Sequence, residues 1–187
     1  KERWTDIFKY LREHKEVEDV VISGGDAYRL KASQIKEIGD ELLKIDYIRR
    51  FRFATKGLSV MPMTILTDVP WTDAVASIAN KARSQYKEVC IHTHFNHANE
   101  LTNITKDAMD LLMCKGVRVR NQTVFQKGVN DTPEAMIDLV RRMSYANVQP
   151  YYVYVHDLTA GTEDMRTSVQ TALDVEKHVR GVTAGFN

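Results

Sequence analysis

Four groups that move protons or bind metals, His92, His94, Asn96 and His97, fall within six positions of one stretch, VCIHTHFNHANE, residues 89–100. The stretch begins as an apolar run of strand character and turns polar toward its C-terminal end. Successive strand side chains point to opposite faces, so His92 and His94 share one face. Imidazoles two apart on a strand can share a metal ion. The same groups can line a polar pocket for an organic cofactor, or cap backbone at a strand end. On the residues alone these three readings stay open.

Other chemistry-bearing residues also close apolar runs. Gly24-Gly25 removes side chains where a ligand could approach backbone, and Asp26 adds a carboxylate suited to an ammonium or a hydroxyl; an ordinary turn accounts for the same three residues. Asn121 and Gln122 are adjacent in a strand, so one of them faces inward, toward either a ligand or a neighbouring strand's side chain. Tyr151, Tyr152 and Tyr154 bring aromatic bulk with hydroxyl tips, which ordinary core packing also uses. His156-Asp157 follows the last apolar strand, and a carboxylate there suits a cationic substrate group.

The elements that must carry these residues read as a regular alternation. Helices are expected over Trp4–His14, Ala32–Ile45, Thr72–Gln85, Ile104–Lys115, Thr132–Arg142 and Ser168–Val179, from apolar residues at helical spacing. Strands are expected over Asp19–Ser23, Arg49–Thr55, Glu88–Thr93, Val117–Val124 and Val148–Val155. Thr132, Pro133 and Glu134 form a helix start, and Gly116 sits at a helix end. Residues 59–70, with two prolines, read as irregular. The order αβαβαβαβαβα, with strands recurring every 30 to 40 residues or so, implies parallel strands with outer helices. Polar groups end every strand: Ser23 to Asp26, Thr55-Lys56, His92 to Asn96, Asn121-Gln122, and Tyr151 to Asp157. A βα-barrel gathers such ends at one mouth, whereas an open doubly wound sheet uses mainly one switch point. The expected fold is therefore α/β, a partial βα-barrel, with residues 1–187 as a single core.

The composition, 43% hydrophobic and 27% charged, is that of a soluble globular protein, and the formal net charge of +1 argues against a general nucleic-acid binder. No apolar run has the length of a membrane span, and no signal peptide is visible. Cys90 and Cys114 make no disulfide framework and no CxxC pair, which points to a reducing, cytoplasmic setting. The chain opens at Lys1 without an initiator Met and closes after GVTAGFN, so a piece of a longer polypeptide is expected. A homo-oligomer is compatible with these residues.

Taken together and in order, VVISGGDA, THFNHANE, VRNQTVFQKGVND and PYYVYVHDL resemble the lysine 2,3-aminomutase family of radical S-adenosylmethionine (SAM) enzymes, from about Asp19 to Gly185. The resemblance implies a radical-SAM-type partial βα-barrel. It implies three cofactors: a [4Fe–4S] cluster, SAM and pyridoxal 5′-phosphate (PLP). It implies migration of the α-amino group of lysine, or of a related cationic amino acid, free or protein-bound, to the β-carbon. The route would use a 5′-deoxyadenosyl radical and a PLP aldimine. Ser23, Gly24, Gly25 and Asp26 would line the methionyl end of SAM. His94, Asn96 and Gln122 would contact SAM or its adenosyl part, and Tyr151 and Tyr154 would sit by PLP and the adenosyl group. Asp157 would hold the substrate's side-chain ammonium. The family's CxxxCxxC cluster motif, its PLP lysine and its arginine-rich stretch have no counterpart here, so the 187-residue chain alone is expected not to perform the radical chemistry. A family arginine after the second strand is Lys56 here, and the proline two residues on is Leu58, which implies a divergent branch. Two other readings compete: a βα-barrel metal hydrolase using His92 and His94, and a non-catalytic ligand-binding remnant.

Overall fold

The computed structural model describes residues 2–183; Lys1 and residues 184–187, the last part of the GVTAGFN end, lie outside the described residues. The elements run α1 (Glu2–Glu13), β1 (Asp19–Ile22), α2 (Ala32–Leu43), β2 (Arg50–Ala54), α3 (Gly57–Val60), α4 (Met63–Thr67), α5 (Val69–Ser84), β3 (Glu88–Thr93), α6 (Asn103–Cys114), β4 (Arg118–Val124), α7 (Pro133–Tyr145), β5 (Val148–Tyr154) and α8 (Val169–Val182). The alternation expected from the sequence is present. The passage expected to be irregular differs: it holds the two short helices α3 and α4, and α5 starts at Val69, capped by the Asp68 carboxylate, which accepts from Trp71 N–H. Helices of four and five residues are too short to show a 3.6-residue period, and the prolines start helices rather than break them, Pro62 at α4 and Pro70 in the first turn of α5. The helix start read at Thr132 is as expected, its hydroxyl accepting from Ala135 N–H.

The five strands form one parallel sheet in the order β1-β2-β3-β4-β5. Each strand pairs with the next in sequence, and the right-handed rule for parallel crossovers puts the intervening helices of such an order on one side. A doubly wound sheet needs its order to reverse; this one does not. The result is an arc of a βα-barrel, with helices outside and a second sheet face left for an interior.

Alternation along the strands sorts the residues. Phe51, Phe53, Val89, Ile91, Val119 and Val148 are buried, most of them in the layer beneath the helices, with Ile35, Leu42, Trp71, Ile78, Met109, Leu112 and Leu139. The intervening residues, Arg50, Arg52, Cys90, His92, Arg120 and Gln122, stand on the inner face. The β4–β5 register shifts between Asn121 and Gln122, opposite Pro150 and Tyr152, leaving Tyr151 as the extra residue of a bulge. No helix among the described residues is long and apolar enough to cross a membrane.

Candidate active site

A cavity of about 400 Å³ opens at the C-terminal ends of the strands. Its walls take Ser23, Gly24, Gly25 and Asp26 from the loop after β1, Arg52 to Lys56 from β2 and its loop, and His92 to His94 from β3. Gln122 closes the third side from β4, and Tyr152 and Tyr154 from β5. Four of the five strands thus deliver expected site residues to one mouth.

Gly24 and Gly25 have φ of +93° and +77°, a left-handed turn that side chains resist. Asp26 fixes this turn from below: one carboxylate oxygen accepts from Tyr28 N–H at 2.8 Å and the other from Lys56 N–H at 3.2 Å. Asp26 is therefore committed to joining the loops after β1 and β2. The same joint explains Gly57, where a Cβ would lie 2.2 Å from the Tyr28 ring. Burial pushes the Tyr28 hydroxyl up to about 12, and it donates to Met61 C=O.

Asn96 Oδ1 accepts from Val124 N–H at 2.9 Å, and His94 Nε2 lies 3.0 Å from the same oxygen. That oxygen cannot donate, so His94 carries its proton on Nε2 and leaves Nδ1 as an acceptor. Burial and the nearby Lys56 ammonium lower the His94 pKa, which keeps the ring neutral. Lys56 Nζ donates to His94 C=O and to Glu100, at 2.7 and 2.9 Å. Glu100 also accepts from Asn96 and His97 N–H groups; burial works against its charge, but these bonds hold its carboxyl below the usual range. Asn96 is thus a positioning residue behind His94, outside the cavity lining.

The two adjacent amides part company. Asn121 turns toward the helices, buried, and clamps the loop after β3: it accepts from Phe95 N–H at 2.6 Å and donates to Phe95 C=O and Thr123 Oγ1. Gln122 faces the cavity. Asn130 was quoted in the sequence only as part of GVND. It is fully buried, donates to Asn96 and Val124 carbonyls and accepts from Gln126 N–H, locking the loops after β3 and β4 together. An asparagine in a glycine-containing turn sequence is the only signal for it.

Two further expected residues, besides Asn96, stand apart from the cavity lining. Tyr151, on the bulge, stacks edge-on to His92 with ring centroids 4.9 Å apart and lies under the Arg120 guanidinium at 5.2 Å. Asp157 is exposed beyond β5, its carbonyl within 3.0 Å of His156 Nδ1. His97 is turned into its own loop, where Nδ1 accepts from Asn99 N–H. Among the described residues, no group of three or more His, Cys, Asp or Glu side chains is placed to hold a metal ion. Burial and the guanidinium groups of Arg52 and Arg120 press the His92 pKa down to about 4, and the same two positive groups oppose a cation beside the ring.

In fold the molecule is a radical-SAM-type βα arc. It superposes on SuiB of Streptococcus suis with TM-score 0.64 at 15% identity, covering 98% of this chain and 42% of that one. It superposes on a radical SAM methyltransferase from Sphaerobacter thermophilus with TM-score 0.56 at 17% identity, covering 88% and 48%. In sequence the chain is similar to lysine 2,3-aminomutases along nearly its whole length. It is 34% identical over 185 residues to L-lysine 2,3-aminomutase of Clostridium subterminale, covering 99% of this chain and 42% of that protein. It is 34% identical over 177 residues to glutamate 2,3-aminomutase of Clostridioides difficile, covering 95% and 40%. The chain thus spans less than half the length of these relatives. No family model matches it.

Proposed function

We propose that this chain is the SAM-binding and substrate-facing core of a radical SAM 2,3-aminomutase, an isomerase that moves the amino group of an amino acid between adjacent carbons. The observation that carries the reading is the cavity itself, where Ser23, Gly24, Gly25, His94 and Gln122 converge in a chain similar to lysine 2,3-aminomutases. These residues fit SAM. The left-handed Gly24-Gly25 turn leaves backbone open to the methionyl end, and Gln122 offers an amide donor and acceptor to the adenosyl part. His94 offers a neutral ring with a free acceptor nitrogen. SuiB, which shares the fold, has been solved bound to S-adenosylmethionine.

The other two implied groups do not fit the described residues. Cys90 is buried, its thiol pushed up to about 11 by burial, and Cys114 is exposed on α6, so the two do not form a cluster site. Lys56, on the cavity wall, is committed to Glu100 and His94 C=O. In this reading the [4Fe–4S] thiolates and the PLP lysine come from residues outside 1–187, and the segment alone is inactive. The chemistry that SAM and a reduced cluster supply is a hydrogen-abstracting radical; the role of this chain is to orient the reactants and keep water from them.

The substrate in this reading is a small amino acid. Asp157, just past β5, would meet a side-chain ammonium in this reading, which favours a cationic amino acid such as lysine. The test uses the natural polypeptide, reconstituted anaerobically with iron, sulfide and PLP and given SAM, dithionite and single amino acids. Formation of a β-amino acid, slowed about tenfold or more by Gln122→Ala at limiting SAM, is expected. SAM cleavage without any β-amino acid across the amino acids tried would sink the aminomutase reading. Zinc-dependent hydrolysis by the unreconstituted protein would favour the metal-hydrolase reading instead.

A further inference from the structure

Below the expected SAM site the inner face changes character. Four arginines, Arg50 and Arg52 on β2 and Arg118 and Arg120 on β4, share that face with two carboxylates, Asp19 and Glu88. The ion pairs are unevenly made. Glu88 takes Arg120 at 2.8 Å and Arg118 at 3.2 Å, while Arg52 reaches Asp19 only at 3.8 Å. Arg120 Nε is buried and without a hydrogen-bond partner among the described residues. Between the two arginine strands stands His92, 7% exposed, its Nε2 also buried and without a partner. Val21, Arg52 and His92 line the cavity, so this cluster forms its floor.

A buried imidazole nitrogen and a buried guanidinium N–H without partners each cost stability. Positive charge in excess at the base of a cavity raises that cost unless a counter-charge arrives. We infer that Arg52 and His92, backed by Arg120, form an oxyanion subsite at the cavity floor, which takes a carboxylate or phosphate group of a small molecule bound above it. Arg52 supplies a two-pronged donor, tied to Asp19 only at 3.8 Å and otherwise to the Tyr151 hydroxyl, a neutral partner that an oxyanion would displace. His92 supplies one N–H. Arg120 is held by Glu88 and by the face of Tyr151, and adds charge from behind. The inference does not depend on the aminomutase reading: it concerns binding, and holds or fails whatever the reaction.

The groups facing His92 are Arg52 and Asp19 from β2 and β1, Arg120 from β4, Tyr151 from β5, and Cys90 and Glu88 on its own strand. None of them is a carboxylate close enough to bond its ring. A bound oxyanion would therefore be the first negative group in direct contact with the His92 ring, and would raise the His92 pKa.

The experiment is proton NMR of the natural polypeptide carrying ¹³C-labelled histidine, without added cofactors, at constant ionic strength in chloride. The His92 signal is assigned by its loss in His92→Gln. Sodium phosphate and glutarate are titrated separately, with 1,5-diaminopentane as a cation without a carboxylate. The expected result is a saturable rise of the His92 pKa by about one unit or more with phosphate or glutarate, none with the diamine, and none at exposed His178 on α8. Tighter binding of glutarate would assign the subsite to a substrate carboxylate, and tighter binding of phosphate to a cofactor phosphate. Arg52→Gln should weaken the binding about tenfold or more, with Arg52→Lys intermediate. The inference is overturned if neither anion moves His92 in the unaltered protein beyond the chloride baseline, a readout that needs no variant to fold. It is equally overturned if Arg52→Gln folds and binds the anion unchanged.

Discussion

Asn121 and Gln122 are neighbours of nearly the same chemistry, and their burial gives them opposite duties. Replacing Asn121 with Leu strands the backbone groups of Phe95 and the Thr123 hydroxyl, and is expected to cost about 2–4 kcal/mol in urea unfolding. Gln122→Leu should leave stability within about 1 kcal/mol while weakening SAM binding; equal losses of stability in the two variants would contradict the assignment. The sequence showed that one amide must face inward but not which, because strand alternation gives parity and only the sheet register gives direction. His92 carries a pH signature. Its folded pKa, about 4, lies below the usual value of 6.5, so the unfolded chain binds the extra proton first. The stability that neutral His92 contributes is complete above about pH 6.5 and falls as pH drops from there toward 4, by on the order of 3 kcal/mol at most. His92→Gln should flatten the stability profile in that window; an unchanged slope would show that other groups cause it.

At the scale of elements, the loops after β1, β2, β3 and β4 are tied to each other by side chains rather than by a continuous backbone ladder. Asp26 and Tyr28 join the first pair, Lys56 and Glu100 reach across to the third, and Asn130 joins the third to the fourth. Gly57→Ala would force the new methyl into the Tyr28 ring, and about 1–3 kcal/mol of destabilisation is expected, with weaker SAM binding because the Gly24-Gly25 turn loses its anchor. A gain in melting temperature would contradict that packing. These joints were only partly legible in the sequence. GGD, KG and GVND showed turns, but the partners lie 30 or more residues apart, and no periodicity links them. The Tyr151 bulge was hidden for a similar reason: a strand of aromatic residues reads as unbroken until its pairing partner is known.

For the whole molecule, the alternation of periods and the polar strand ends gave the architecture correctly, because a sequential parallel sheet puts every strand's C-terminal end on the same rim. Its identity as an arc follows from the unbroken order β1 to β5, which the spacing alone left open against a doubly wound sheet. Central strands of such an arc have neighbours on both sides, so amide hydrogen exchange should be slowest in β2 to β4, above all in β3 from Val89 to Thr93. Faster exchange there than in α8 would mean that the sheet is not the cooperative core.

The central claim is that the mouth of this arc is a SAM site built from Gly24, Gly25, His94 and Gln122. Calorimetric titration of SAM into the anaerobically reconstituted natural polypeptide and its Gln122→Ala and Gly25→Val variants tests it most directly. Saturable binding at one site, weakened about tenfold or more in each variant while both remain folded, is the predicted result. Binding of SAM with unchanged affinity in both variants would place the cofactor elsewhere and contradict the account.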